Sequence, residues 1–179
     1  GATAKSVLSY LQKLVSKVYS INSRVAVLEG SVIFDTTLSV ASSSLVITTD
    51  SQGVALSLNE VDIMIIHPAL PTNEMRLQVN DITSNYYTYA YYNRAAFSIV
   101  CGSYGGVITG QLRYDATSRQ LIGDFIGRAK YSTTQYTSYP SNGFIESPNM
   151  PNKISKFVFY FVAGTIPAGT RIILKRAII

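Results

Sequence analysis

"VLSYLQKLVSKVYSINSRVAVLEG", residues 7–30, runs straight into "SVIFDTTLSV", residues 31–40. This join decides the fold. Before Gly30, apolar residues recur at alternating steps of four and three. After it they alternate with polar ones at every second position. The first rhythm belongs to a helix packed on other helices, the second to a strand with one face buried. The chain therefore divides into a helical stalk over 1–30 and a β-structured head over 31–179.

In the stalk, Ala4, Leu11, Val18 and Val25 take heptad position a, and Val7, Leu14, Ile21 and Leu28 take position d. This is the seam of a coiled coil. Leu8 and Val15 fall at e, which widens the apolar stripe and favours more than two strands. The closing stretch "RVAVLE" sets Arg24 at g and Glu29 at e around Val25 and Leu28. It is similar to the Arg-h-x-x-h-Glu pattern of short trimeric coiled coils, in which the Arg covers the core and pairs with a neighbour's Glu. The expected trimerisation set is Val7, Leu11, Leu14, Val18, Ile21, Arg24, Val25, Leu28 and Glu29. A lone helix of about 25 residues is marginal in water. The alternative is a single amphipathic helix folded back on the head.

Beyond Gly30 the apolar runs are short and separated by turn residues. "SVIFDTTLSV", "SLVITT", "GVALSL", "VDIMIIH", "EMRLQVN", "YYTYAYY", "AAFSIV", "VITGQLRYD", "RQLIGDFIGRAKY", "KFVFYFVAG" and "TRIILKRAI" read as strands. Hairpin turns are expected at Asp50–Gly53, Asp115–Arg119 and Ala163–Gly169. Helices between strands are missing, which argues against a parallel α/β sheet. The expected fold is mainly β: an N-terminal trimeric coiled-coil helix, then a jelly-roll-like antiparallel β-sandwich head. "FVFYFV" is apolar at every position, so a neighbouring subunit is expected to cover its second face, and Ile178 and Ile179 are expected at the same seam.

Composition narrows the function. Hydrophobic residues make up 47% and charged ones 14%, so the surface relies on uncharged polar groups, among them 13 tyrosines. The net charge of +5 comes from Lys and Arg with no run of three, which argues against nucleic acid as a partner. Cys101 and His67 are the sole residues of their kinds, so an internal disulfide and a Cys-based metal site are excluded, triads and zinc sites based on histidine lose most of their parts, and no cofactor is expected. Cys101 reads as a small buried hydrophobe, and His67, before Pro68, as the end of a strand. The longest apolar run, "IMIIH", is too short for membrane insertion.

"FYFVAGTIPAGTRIILKRAI" resembles the C-terminal end of many bacteriophage tail-fibre and head-fibre domains. "MRLQVNDITSNYYTYAYY" is similar to their "R-x-N-x-D … N-Y" stretch, and "LIGDFIGRAKY" to their "GRA" strand. "ATAKSVLSYLQKLVSKV" resembles the helix that often precedes such heads. The usual Tyr-Gly after the last strand is replaced here by Lys175-Arg176. The resemblance implies a non-enzymatic homotrimer on the virion, at the tail or capsid surface. Other virion proteins would join it on its N-terminal side. Its head would bind a bacterial surface glycan or serve as decoration.

No catalytic constellation stands out. Glu60/Asp62 and Asp115/Asp124 are the candidate carboxylate pairs that glycan cleavage by a depolymerase fragment would require. Asp35, Asp50 and Asp81 lack the spacing of a calcium loop. "CGSYGGVITG" reads as a hairpin or bulge region and not a phosphate cradle. The tyrosines remain. Alternation sets Tyr87, Tyr89 and Tyr91 on one face and Tyr86 and Tyr92 on the other. "YSTTQYTSYPSNG", residues 131–143, reads as a polar surface loop. Tyrosine combines a flat ring with a hydroxyl, which suits stacking on sugars beside amide donors. The candidate binding residues are Tyr131, Gln135, Tyr136, Tyr139, Asn142, Tyr87 and Tyr89, with Arg94, Arg119 and Arg128 as contacts for acidic glycans. The alternative is that these tyrosines are strand formers that fill the core and subunit interfaces.

Overall fold

The structure is a computed structural model. It describes Val7 and residues 9–18, 32–70, 74–88, 91–94, 96–100, 104–115, 117–130, 136–146 and 152–177. The chain divides into two units, Gly1–Val32 and Ile33–Ile179. In the first unit, residues 9–18 are helical. Val7, Leu11, Leu14 and Val18 of the expected seam are all exposed, by 44–52%. Ile21, Arg24, Val25, Leu28 and Glu29 lie outside the described residues.

The second unit is antiparallel β-structure. Its strands are β1 (Val32–Thr37), β2 (Ser44–Ile47), β3 (Glu60–Ala69), β4 (Glu74–Val79), β5 (Tyr86–Thr88) and β6 (Tyr91–Arg94). They continue with β7 (Phe97–Val100), β8 (Tyr104–Asp115), β9 (Gln120–Lys130), β10 (Tyr136–Glu146), β11 (Phe157–Tyr160) and β12 (Arg171–Arg176). One sheet has the order β1-β12-β3-β8-β9-β10-β5-β6 and the other the order β2-β11-β4-β7. The expectation of a β-sandwich holds. Val61, Ile63 and Ile65 on β3, Ile108 and Leu112 on β8, and Leu121 and Phe125 on β9 point inward from the large sheet. Met75, Leu77 and Val79 on β4, Phe97 and Ile99 on β7, and Phe157 and Phe159 on β11 meet them in one core. Each such side chain contributes about 1.5–3 kcal/mol through its removal from water.

Tyr86 resolves the tyrosine alternation. It is buried edge-on against Phe97, 5.1 Å between ring centres. Its hydroxyl accepts from the Val79 backbone N–H at 2.9 Å and donates to the Ile82 carbonyl at 3.0 Å. Burial pushes its pKa up. Neighbouring Tyr87 therefore faces outward, where its ring stacks on Phe144 at 5.0 Å.

Several expectations need correction. The stretch "YYTYAYY" is not one strand but the paired strands β5 and β6, whose ladder joins Tyr86 to Arg94 and Thr88 to Tyr91. "GVALSL" makes only isolated bridges, at Ala55 and Leu58. The segment Ala163–Gly169 is not a hairpin, because β11 and β12 belong to different sheets. It crosses between them beside the β1–β2 connection, with Leu38 donating to the Thr170 carbonyl and Ser42 to that of Ile166. The phenylalanines of "FVFYFV" are core residues. Phe157, Phe159 and Phe161 share the inward face of a central strand, and only Val158, Tyr160 and Val162 face out. Finally, His67 does not end its strand: β3 continues through Pro68 to Ala69. Gly105, with φ of 77°, lies between the paired residues Gly106 and Tyr104 opposite Pro68, so from Tyr104 the glycine-rich segment is strand and not hairpin or bulge. Proline lacks the ladder donor, and glycine accepts the left-handed backbone beside it. The other two turns form as expected. Asp50 Oδ1 accepts from the N–H groups of Gln52 and Val54. Asp115 accepts from Thr117 N–H and Ser118 Oγ–H, which lowers its pKa below the usual carboxylate value.

Candidate functional site

Side chains at alternate positions of the large sheet point away from the core. The ladder registers align them into rows across the strands. One row is Lys175–Asp62–Gln111–Asp124–Asn142, from β12 through β3, β8 and β9 to β10. The next is Ile173–Met64–Thr109–Ile126–Pro140. A groove of about 620 Å³ runs over these two rows, and Asp62, Met64, Thr109, Gln111, Asp124, Ile126, Pro140, Asn142 and Lys175 line it. One side is thus polar and the other largely apolar. On β10, two positions beyond Asn142, Phe144 carries the stacked Tyr87 at the polar end of the face.

The polar row is partly engaged. Gln111 Nε2 donates to Asp62 Oδ1 at 3.1 Å, which fixes the amide and leaves its carbonyl oxygen as an acceptor. Among the described residues, the side chains of Asp124 and Asn142 make no hydrogen bond or ion pair, and both are exposed. The groove therefore offers carboxylates, amides and one ammonium to hydroxyl-bearing groups, beside a strip for C–H faces. Among the described residues no cluster of His, Cys, Asp and Glu could hold a metal ion, and no helix is long and apolar enough to cross a membrane.

Of the candidate binding residues, Asn142 lies in the groove and Tyr87 on the same face of the sheet. Tyr131, Gln135 and Tyr89 lie outside the described residues. Tyr136 and Tyr139 belong to β10, opposite Lys130 and Gly127 of β9. The surface loop expected over 131–143 is therefore strand from Tyr136 onward. Its polar composition hid this: β10 is rich in Tyr, Thr and Ser, which fit a pleated strand, and one of its faces is wet. Pro140 is tolerated because β5 pairs only with Gly143–Ile145, so at Pro140 the strand has one hydrogen-bonded neighbour. Arg119 sits in the β8–β9 turn with φ of 55°, and Arg128 is exposed one row beyond the apolar strip.

The structure also regroups the carboxylates. Asp115 is bound into its turn, whereas Asp62 and Asp124 share the groove with Gln111 between them. Asp62, Gln111 and Asp124 were missed as a set because Asp62 is remote in sequence and the register that aligns all three is not written in the pattern of any one strand. The available signal was the alternation within each strand, which sets Asp62, Gln111 and Asp124 at outward positions of β3, β8 and β9. No protein-family model matches the chain, and no curated protein matches it. Among solved structures, peanut lectin with a nine-residue peptide is similar at a TM-score of 0.28 and 10% identity, over 84% of this chain and 90% of the lectin chain.

Proposed function

We propose that this protein is a non-catalytic, homotrimeric fibre head of a bacteriophage virion that binds a host-surface saccharide. The groove on the large sheet carries the reading. Sugars present hydroxyls on their edges and C–H groups on their faces, and the polar row beside the Met64–Ile126–Pro140 strip complements both. Carboxylates and amides that already lack protein partners lose little on binding such hydroxyls. The exposed Val7–Leu11–Leu14–Val18 seam supports assembly through the stalk, since a partner helix would cover it. Three heads would add avidity to weak single sites.

The strand order supports the finer reading of a jelly roll. Without the inserted pairs β5–β6 and β9–β10, the sheets are β1-β12-β3-β8 and β2-β11-β4-β7, with eight strands winding as two Greek keys. Both insertions extend the first sheet, and β9–β10 builds half of the groove.

The test combines sedimentation equilibrium of the full chain with binding to immobilised bacterial surface polysaccharide. A mass of three chains and retention that falls in Asn142→Ala are expected, with no shortening of the polysaccharide. A monomer, or retention unaffected in Asn142→Ala, contradicts the proposal. A purely decorative head would give the trimer without retention.

A further inference from the structure

We infer that the groove takes a linear, uncharged saccharide lying across the strands, with several rings bound in succession. This rests on the saccharide reading above and adds ligand length, direction and charge to it.

Length and direction come from the register. The five residues Lys175, Asp62, Gln111, Asp124 and Asn142 occupy successive strands. Strands lie about 4.8 Å apart, so the row extends about 19 Å, much longer than one sugar ring. The apolar strip runs parallel to it over the same strands, and each step along the groove repeats the pairing of a polar group with an apolar or small neighbour: Asp62 with Met64, Gln111 with Thr109, Asp124 with Ile126, Asn142 with Pro140. A single terminal sugar would use one such step. A chain of rings running perpendicular to the strands would use them all.

Charge comes from the middle of the row. Asp62 and Asp124 flank Gln111, so the centre of the groove is anionic and accepts hydrogen bonds from hydroxyls. Sugar carboxylates or phosphates there would meet like charge. The nearby cations do not reverse this. Arg113 stands opposite Glu60 in register, Arg128 lies beyond the apolar strip, and Arg171 is held by Asp35 through bonds of 2.8 and 2.5 Å. Lys175, the register partner of Asp62, lies on the row at its end and offsets one of the two carboxylates, so the row stays net negative and Asp124 has no cation opposite it. This departs from the expectation that arginines recognise acidic glycans.

The experiment is calorimetric titration of the full chain with a panel of neutral linear oligosaccharides of one to six rings and matched uronate-bearing ones. Wild type is expected to gain about tenfold in affinity from one ring to four and then level off, and to bind the uronates at least about tenfold more weakly. Asp124→Asn keeps the shape and removes the charge, and should lose about tenfold on the neutral chains, the weight of a charge-assisted hydrogen bond. Asp62→Asn with Asp124→Asn should close the gap between neutral and uronate ligands. Equal affinity for one ring and four, a preference for uronates, or an Asp124→Asn variant with unchanged affinity overturns the inference while leaving saccharide binding intact. Absence of binding to every saccharide overturns the saccharide reading itself, and this inference with it.

Discussion

Gly110 lies beneath the groove, and replacing it by alanine tests how the core supports the site. Its position on β8 is inward, between Ile108 and Leu112, and its backbone φ is not left-handed. Conformation therefore does not require glycine here, and alanine alone would gain about 0.4–1 kcal/mol by restricting the unfolded chain. Space does require it. A Cβ on Gly110 would sit 2.1 Å from Phe125 Cδ1 and 2.7 Å from the Asp124 carbonyl oxygen. Phe125 is the register partner of Gly110 and is 2% exposed, packed against Phe97 at 6.0 Å. Its ring has no free direction, because a Cβ on Gly123 would likewise come within 3.0 Å of Phe125 and Phe97. Overpacking of this kind costs about 1–3 kcal/mol. The net loss for Gly110→Ala is then about 1–2 kcal/mol, or about 2–8 °C in Tm for a chain of this size. Phe125→Leu alone should cost about 1–3 kcal/mol. In the double variant leucine vacates part of the space, so the two losses should fall short of additive by about 0.5–2 kcal/mol. Some cost remains, because the Asp124 carbonyl cannot rotate away. Urea unfolding followed by circular dichroism measures all four corners of the cycle. Additive losses, or a Gly110→Ala variant as stable as wild type, would falsify the claim that this glycine exists to admit the Phe125 ring.

The remaining predictions concern the edges of the sandwich. Nδ1 of buried His67 donates to the Pro68 carbonyl at 2.9 Å, while Nε2 is buried and has no partner among the described residues, and desolvation holds the pKa below the ordinary 6.5. Below pH 6.5 the unfolded chain binds the proton and the native one does not. Stability should therefore fall on acidification by up to about 1.4 kcal/mol per pH unit until the native pKa is reached. His67→Gln should flatten that slope in urea midpoints taken from about pH 7.5 to 5, and an unchanged slope would assign it elsewhere. Asp35 and Asp115, whose pKa values are lowered, lose their contributions only at more acidic pH, as pH falls from 3.8. Asn80, with φ of 55°, accepts at Oδ1 from Ser155 N, Ser155 Oγ and Lys156 N and donates from Nδ2 to the Lys153 carbonyl. Asn80→Ala should cost about 2–3 kcal/mol through lost bonds and left-handed strain. Asn80→Asp, which keeps the acceptor, should retain at least half of that in thermal unfolding, and equal losses in the two variants would count against the acceptor role.

The sequence by itself determined the local rhythm. Apolar steps of four and three read as helix, and residues 9–18 are helical; two-residue alternation reads as strand, and β1 opens at Val32, because each period aligns a different set of side chains on one face. The turns at Asp50 and Asp115 were legible too, since an aspartate can fold its own backbone through nearby N–H groups. Tertiary structure decided what periodicity does not encode. Whether Ala163–Gly169 returns within a sheet or crosses to the other depends on which strand lies free to pair, and β11 and β12 find partners in different sheets. The strand β10 is hidden in a polar sequence because its backbone partner β9 and its wet outer face, not an apolar alternation, make it a strand. In "FVFYFV" composition shows two apolar faces, and the tertiary structure decides which is core: the three phenylalanines face inward and Val158, Tyr160 and Val162 face out. The groove is the clearest case. Asp62 lies on a strand distant in sequence from the consecutive strands that carry Gln111, Asp124 and Asn142, and only the register of the ladders brings the four into one row. Register is set by the whole core, since a slip of one residue would turn every one of these groups to the opposite face.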